Sequence, residues 1–473
     1  MTLRRVQALL PLMAAAFLTA WPGAGGAVAY GPAPSAGSSL ATALGRLIEV
    51  PADVPTLEAA IAAAQPGDVI LLAAGTYRGG VTIPKEKHDL TIRGADRNLV
   101  ILDGKDVLLS AIEIKADRVS LENLTARHYT GNGFEWDGVD GFSGRYLTVW
   151  NVGLYGIYAL ESRHGTFEHD LVSGAADAAF YVGECQPCDT VVSHVTARYS
   201  AIGYSGTNAG GNLEVRDSLF DRNGTGILPN SYEGQEAPPP ERDTRIARNT
   251  VRDSGSVPVP ANSPLAGFVG LGIGIAGGMD NVVEGNTVTG SARFGIALYP
   301  ALQKSRNVYA PSGNQIRGNK VAGSRMADLA FSTGSGSGNC FAENQFTSSL
   351  PAAIEALLPC GAAAASSPPG DPMVGRELAI PIPEALDRLG RRPGYTTMPA
   401  PEDAETLMDP LPAGLRPFSE ASPLNNAPPA SAEPAGIAPM AAGLLVMVVA
   451  LVLVGSIIAR WAMRHRGQRP PGA

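Results

Sequence analysis

Charge is scarce in this chain and leans acidic. Of its 473 residues 17% are charged, and 36 Lys and Arg stand against 44 Asp and Glu, for a formal net charge of −8. No basic stripe runs through it, which argues against a nucleic-acid partner, because a phosphate backbone needs a cationic footprint. Aromatic residues make up only 6%, and there are only four cysteines, too few for a disulfide-dense scaffold. Amphipathic helical periodicity is also missing from the long central region. Short Val-, Ile- and Phe-rich runs punctuated by Gly, Asn, Asp and Ser replace it, and these are strand and turn signals.

What is present is a repeat. In "EGNTVTGSARFGIALYP" (Glu284 to Pro300) an Asn stands two residues before a Val and nine before a Gly-Ile pair. Asn249, Asn319 and Asn344 each precede the same kind of apolar pair, as does Asn286 itself. Earlier, Asn123, Asp170, His194 and Asp217 take the matching place, with Leu147 filling one slot without a polar group. The steps along 123, 147, 170, 194 and 217 are 24, 23, 24 and 23 residues, and later ones are 32, 37, 33 and 25. Self-similarity at such a period marks a repeat architecture. Three short strands in about 23 residues describe one coil of a parallel β-helix, with coils stacked at about 4.8 Å. The recurring Asn tolerates a left-handed backbone and can bond to the next Asn in the stack, so these eight polar residues are expected to form a structural ladder.

The fold class read from this is all-β: a right-handed parallel β-helix solenoid over residues 48–360, carrying further segments at both ends. Residues 1–29 have the three regions of a secretory signal, from Arg4 and Arg5 through the apolar run Val6–Trp21 to Ala27-Val28-Ala29. A linker, 30–47, comes next. Residues 361–436 hold fifteen Pro and read as an extended extracellular spacer, within which Arg376–Gly390 is apolar enough either to dock back on the solenoid or to form a short helical turn. Residues 437–459 read as a transmembrane helix, since Met440–Ala459 is a run of 20 uncharged residues. The basic tail, 460–473, then places the C-terminus in the cytoplasm and the bulk of the chain outside the cell. Cys340 and Cys360 bracket the last rung and are positioned to close it. Cys185-Gln186-Pro187-Cys188 suits a small turn disulfide, since it lacks the second pair or the βαβ context of a zinc or redox site.

At the front, "VPADVPTLEAAIAAAQPGDVILLAAGTYRGGVTI" (Val50 to Ile83) offers Thr56 as an N-cap and Leu57, Ala60, Ile61 and Ala64 as one apolar helical face. An amphipathic helix across the open end of a solenoid covers strand edges that would otherwise stay unpaired. This segment together with the rungs, roughly Ile48 to Cys360, resembles the right-handed parallel β-helix superfamily of the pectate-lyase-like, carbohydrate-binding and sugar-hydrolase type. The resemblance implies an extracellular protein that holds polysaccharide or acts on it. The pectinesterase aspartate block, the hydrolase aspartate trio and the epimerase Asp-Pro-His are all absent, so it implies no one reaction.

Candidate chemistry comes from side-chain alternation. If the Ile of each Gly-Ile pair points inward, the next residue points out. That gives the column Glu135, Tyr158, Tyr181, Ser205, Leu228, Gly274, Ala297 and Ala330. Tyr158, Tyr181, His164 and Glu135 are the candidate catalytic residues. Trp136, Asp137, Glu161, Glu184, Tyr204 and Tyr232 are candidate sugar contacts, because aromatic rings stack on sugars and carboxylates bond hydroxyls or move protons. His128, Asp140 and Asp177 lie close by in sequence, as do Tyr146, Trp150 and Tyr155. "EWDGVDG" (Glu135 to Gly141) hints at Ca²⁺ but lacks a full ligand set, so no cofactor is assigned. Extra residues near 229–242, 255–268 and 299–312 should rim the same sheet, with Tyr232, Glu233 and Glu236 as a second contact. The expected partner is a polysaccharide or cell-wall glycan. A non-catalytic binding module is slightly favoured over a lyase or epimerase of uronate polysaccharide, and a glycoside hydrolase is the weakest option.

Overall fold

The computed structural model describes residues 45–235, 237–361 and 370–418. The signal, the apolar span and the basic tail lie outside these residues, and so does Glu236. Among the described residues no helix is long and apolar enough to cross a membrane.

Three long parallel sheets wrap the chain into a right-handed β-helix: sheet A with 13 strands, sheet B with 10 and sheet C with 11. One coil illustrates the unit. Asp140–Arg145 lies in sheet A, Thr148–Val152 in sheet B and Ile157–Leu160 in sheet C, each paired in parallel with the coils before and after. Every second side chain turns inward, and Phe142, Val149, Ile157 and Ala159 enter one continuous apolar core. Trp136, Phe142 and Phe167 stack within it at 5.3–5.9 Å between ring centroids. A dry interior shared by successive coils lets such a chain bury apolar area without a second layer.

The corners hold polar ladders. Between sheets A and B the pairing register aligns Leu147 with Asp170, Ser218 with Asn249, and then Asn286, Asn319 and Asn344. Asn249, Asn286 and Asn319 each donate Nδ2 to the Oδ1 of the next Asn at 2.9–3.0 Å. Asn344 passes the chain of bonds to Glu355 at 2.9 Å. In the earlier coils the backbone N–H of Leu147 donates to Asp170 and that of Val195 to Ser218. Asn123, His194 and Asp217, expected in this column, instead stand one residue before it. They take the left-handed corner with φ of 60°, 55° and 50°, beside Tyr146, His169 and Arg248 of other coils. The inward positions in those coils are Leu124, Val195 and Ser218. For His194 the reason is a coil of 25 residues between Asp170 and Val195, counted as 24, and Asp217 carries the same slip forward; for Asn123 the coil to Leu147 has 23 residues where 24 were counted. A one-residue slip turns a side chain to the opposite face. A second ladder, Asn281, Asn314 and Asn339, runs up the corner before sheet A and begins on the buried Glu241.

Helix α1 (Leu57–Ala63) is N-capped by Thr56, whose side chain accepts from the Ala59 N–H, and it turns Leu57, Ala60 and Ile61 inward at the first coil. Helix α2 (Ile354–Leu357) lies at the last rung, which the Cys340–Cys360 disulfide closes. Cys185 and Cys188 form the second disulfide.

The stretch read as an extended spacer behaves differently over its described part, 370–418. Helices α3 (Pro372–Leu378) and α4 (Ile382–Ala385) bury Val374, Leu378, Ile382 and Ala385 against sheet C. The chain then runs back along the solenoid as a strap. Ser173 Oγ donates to Pro399 O, Asn98 exchanges two bonds with Ala404, and the Leu407 N–H donates to Asn123 Oδ1. Arg416–Pro417 finally pairs with Arg46–Leu47, so the first folded strand begins at Arg46. Beyond these helices the strap is largely extended, and an extended segment can still satisfy outward Asn and Ser side chains along a solenoid.

Candidate functional site

The outward face of sheet C carries one unbroken column. Register pairs Thr82, Glu113, Glu135, Tyr158, Tyr181, Ser205 and Leu228 in successive coils. Gly274, Ala297, Ala330 and Leu350 continue it. Its character changes half-way. From Thr82 to Tyr158 the column is exposed or half-buried, whereas Tyr181 is 3% exposed and Leu228 and Ala297 are fully buried. The cover is a second apolar cluster in which Phe268 and Leu271 meet Phe294, Leu378 and Ile382. It is built by the 3₁₀ turn Leu265–Gly267 together with α3 and α4. The open part is thus a strip of four coils, about 14 Å long at the inter-strand spacing, that ends against the covering cluster at Tyr181 and is the candidate binding groove.

At the open end the lining is charged. Carboxylate oxygens of Glu113, Glu135 and Asp137 all lie within 4.8 Å of one another. Lys115 stands between two of them, 2.8 Å from Glu113 Oε1 and in contact with Asp137. Burial alone would lower the Lys115 ammonium, but its bonds to Asp137 and Glu113 outweigh this and hold it above the ordinary value. Glu135 is pushed up chiefly by burial, although Asn132 Nδ2 donates to it at 2.8 Å. Oxygen donors alone would suit a hard cation such as Ca²⁺. Here the ammonium of Lys115 already supplies positive charge at that position.

At the blind end the lining is aromatic. Tyr155, Tyr158 and Tyr181 form a three-ring cluster with centroids 4.5–5.0 Å apart. Burial pushes the phenols of Tyr155 and Tyr181 well above their ordinary range. Asp177, 5% exposed, is raised to about 6 by burial, against hydrogen bonds from Ser263 and Tyr155. Ser263 belongs to the 253–270 insertion, which reaches back across several coils, where the neighbouring Asn262 donates to Ala176 O and Gly153 O. Glu161 and Glu184 succeed one another at the left-handed corner beside the groove, with φ of 49° and 58°. The first is exposed and the second buried.

Several expected contacts lie elsewhere. Trp136 and Tyr204 occupy inward positions and are fully buried, with Trp136 Nε1 donating to Val119 O at 3.1 Å. Each stands one residue away from the outward column, so alternation turns it into the core. His164 sits in the sheet A strand Arg163–Glu168, its ring bonded to Asp140 at 2.6 Å and paired with Asp189 at 3.4 Å. This commits it to sheet A, apart from the tyrosines. His128 and Trp150 meet edge-on at 4.7 Å on sheet B. Tyr232 is half-buried and held by Asn208 through its backbone. Its neighbour Glu233 accepts from Ser305, Asn307 and Tyr309, tying the 229–242 loop to the hairpin Ala301–Leu302/Val308–Tyr309. Thr82, Glu113 and Lys115 are additional lining residues. Their signal was the inward–outward–inward triplets "VTI" and "IEI", which match "FEW" at Phe134 to Trp136.

The chain has the fold of a right-handed parallel β-helix, and a family model described as right handed beta helix region matches residues 132–299. Among curated proteins none matches. The A-module of a mannuronan C-5 epimerase from Azotobacter vinelandii is similar at 15% identity, covering 61% of this chain and 88% of that one, with a TM-score of 0.44. An alginate lyase from a Paenibacillus species is similar at 15% identity, covering 65% and 96%, with a TM-score of 0.39. A rhamnogalacturonan lyase is similar at 11% identity, covering 64% and 87%, with a TM-score of 0.44.

Proposed function

We propose that the open coils of sheet C bind a polysaccharide, and that the chain is a non-catalytic, glycan-binding β-helix. The observation that carries this reading is the lining of the groove. It joins a tyrosine cluster to carboxylates that accept hydrogen bonds, on one rigid sheet. Sugars are recognised by that combination of apolar ring contact and fixed polar groups. The tyrosines support binding over catalysis, because burial keeps the phenols of Tyr155 and Tyr181 protonated. A tyrosine that abstracts a proton needs its pKa lowered towards the working pH instead.

Charge narrows the ligand. Glu113, Glu135, Asp137 and Glu161 face or flank the groove together with Lys115. At an effective dielectric near 20, an unscreened carboxylate pair about 4 Å apart costs about 4 kcal/mol. A neutral or amino-bearing glycan therefore fits this lining better than a polyuronate. In a binding panel of neutral, amino and uronate polysaccharides, one of the first two classes should be retained, and Tyr158→Ala should weaken it by about tenfold or more. Retention that Tyr158→Ala leaves untouched would move the ligand off this groove.

A second reading is favoured by one observation, the placement of Asp177 beside Tyr155 with a pKa near neutrality. It makes Asp177 the base and Tyr155 the proton donor of an elimination or epimerisation on a uronate polysaccharide. Ultraviolet-absorbing unsaturated ends that form with the wild-type chain and vanish in Asp177→Asn would establish it in place of the first.

A further inference from the structure

We propose that Glu168, His169 and His194 bind a divalent ion of the zinc class at the outer corner between sheets A and B. One ligand atom from each already lies within 4.8 Å of the others. The backbone imposes this closeness. His169 and His194 hold the left-handed corner of consecutive coils, with φ of 57° and 55°, so their rings stack at 5.1 Å with an interplanar angle of 14°. Tyr146 stacks on His169 at 4.7 Å in the preceding coil and fixes that ring from the other side. Glu168 ends the strand immediately before His169 and is in register with Ser193, the residue before His194. Its carboxylate and both imidazoles therefore approach from a single coil step.

With metal–ligand bonds of about 2.0–2.1 Å in tetrahedral geometry, two ligand atoms on one ion stand about 3.4 Å apart. Binding therefore requires His194 to swing out of the stack, so that one ion lies in the plane of both rings, and the ligand atoms to close by up to about 1.4 Å; that movement is available because His194 is exposed and the other two are half-buried. Of the bordering guanidinium groups, Arg145 pairs with Glu122 and Asp409, Arg216 pairs with Glu214 and Asp217, and Arg97 donates to the backbone carbonyls of His169 and Glu405. Two imidazoles and one carboxylate select a borderline transition ion over Ca²⁺ or Mg²⁺, which take oxygen. Three protein ligands leave a coordination position open to water or to a donor atom of a ligand. The site lies at a corner that sheet C does not share, so it is independent of the glycan groove.

The test is calorimetric titration of the untagged full chain with zinc chloride, with cobalt absorption as a second readout. One saturable site is expected, weakened by at least about tenfold in His194→Asn and in His169→Asn. Asn tolerates the left-handed corner, so both variants should keep the fold. Glu168→Gln provides a third variant that leaves the corner residues untouched, and His164→Asn should bind like the wild type. The proposal is overturned if the wild-type chain shows no saturable site, or if His194→Asn and Glu168→Gln bind zinc as tightly as the wild type.

Discussion

Replacing Lys115 by Met should convert the charged end of the groove from a balanced cluster into a repulsive one. The ammonium lies 2.8 Å from Glu113 and contacts Asp137, and Glu135 is close enough to share the site. Hydrogen bonds to charged partners contribute about 1.5–3 kcal/mol each when well shielded. These side chains are 28–35% exposed, so solvent screening reduces the pair to about 1–3 kcal/mol in total. Linkage sets the sign. Without Lys115 the three carboxylates repel one another unopposed, and Glu135, already raised by burial, is pushed further up. The added cost is then present at neutral pH and disappears once they are protonated, below about pH 4. Denaturant unfolding of the variant and the wild type at pH 7 and pH 4 should therefore differ by about 1–3 kcal/mol in the first case and by little in the second. Added Ca²⁺ should recover part of the deficit at pH 7, since oxygen donors without an internal cation suit that ion. An equal deficit at both pH values would refute the electrostatic account and leave only the packing of the lysine stem.

Two further outcomes test the ladders. Asn286 is fully buried and takes part in four side-chain hydrogen bonds, to Asn319, to Ile246 O and from both nitrogens of Asn249. Asn286→Ala leaves several of those partners unsatisfied and should cost about 3–5 kcal/mol by denaturant unfolding, and a cost below about 1 kcal/mol would mean the ladder is ornamental. Glu241 is raised to about 8, first by burial, against bonds from Thr244 and Asn281. Its folded pKa exceeds the unfolded one, so stability should fall as pH rises from about 4.5 to about 8. Glu241→Gln should flatten that fall, and an unchanged slope would place the titration on another group.

How much of this was legible depends on which force set each feature. The repeat was readable because stacking coils impose the same in–out alternation every turn, and the column Glu135, Tyr158, Tyr181, Ser205 falls out of that alternation alone. The same rule sends Trp136 and Tyr204 inward, so aromatic type was a poorer guide than position. Alternation is a hard steric constraint, whereas aromaticity says only that a side chain must find either a sugar or a core. The ladder was readable where Asn recurs, from Asn249 to Asn344, because a buried amide needs donors and acceptors from its neighbours. It slipped at Asn123, His194 and Asp217. There the inward position holds Leu124, Val195 or Ser218, and the polar residue beside it satisfies a backbone twist instead.

The blind end of the groove was also encoded, in the outward residues of the coils beyond Tyr181. Leu228, Gly274, Ala297 and Ala330 are small or apolar side chains on a sheet that would otherwise meet water. Four such residues in a row are expensive to leave uncovered. A covering segment must then come from within the chain or from a partner. The cover comes from the apolar run Arg376–Gly390, for which the sequence leaves both docking back and a short helical turn open; it does both, with Leu378, Ile382 and Ala385 on the buried side. Glycine at 267 shows how closely the cover sits, because a Cβ there would come within 2.3 Å of the Ala385 carbonyl carbon. The proline-rich segment is therefore better understood as the piece that finishes sheet C, and the stretch it leaves open between Thr82 and Tyr158 defines the groove.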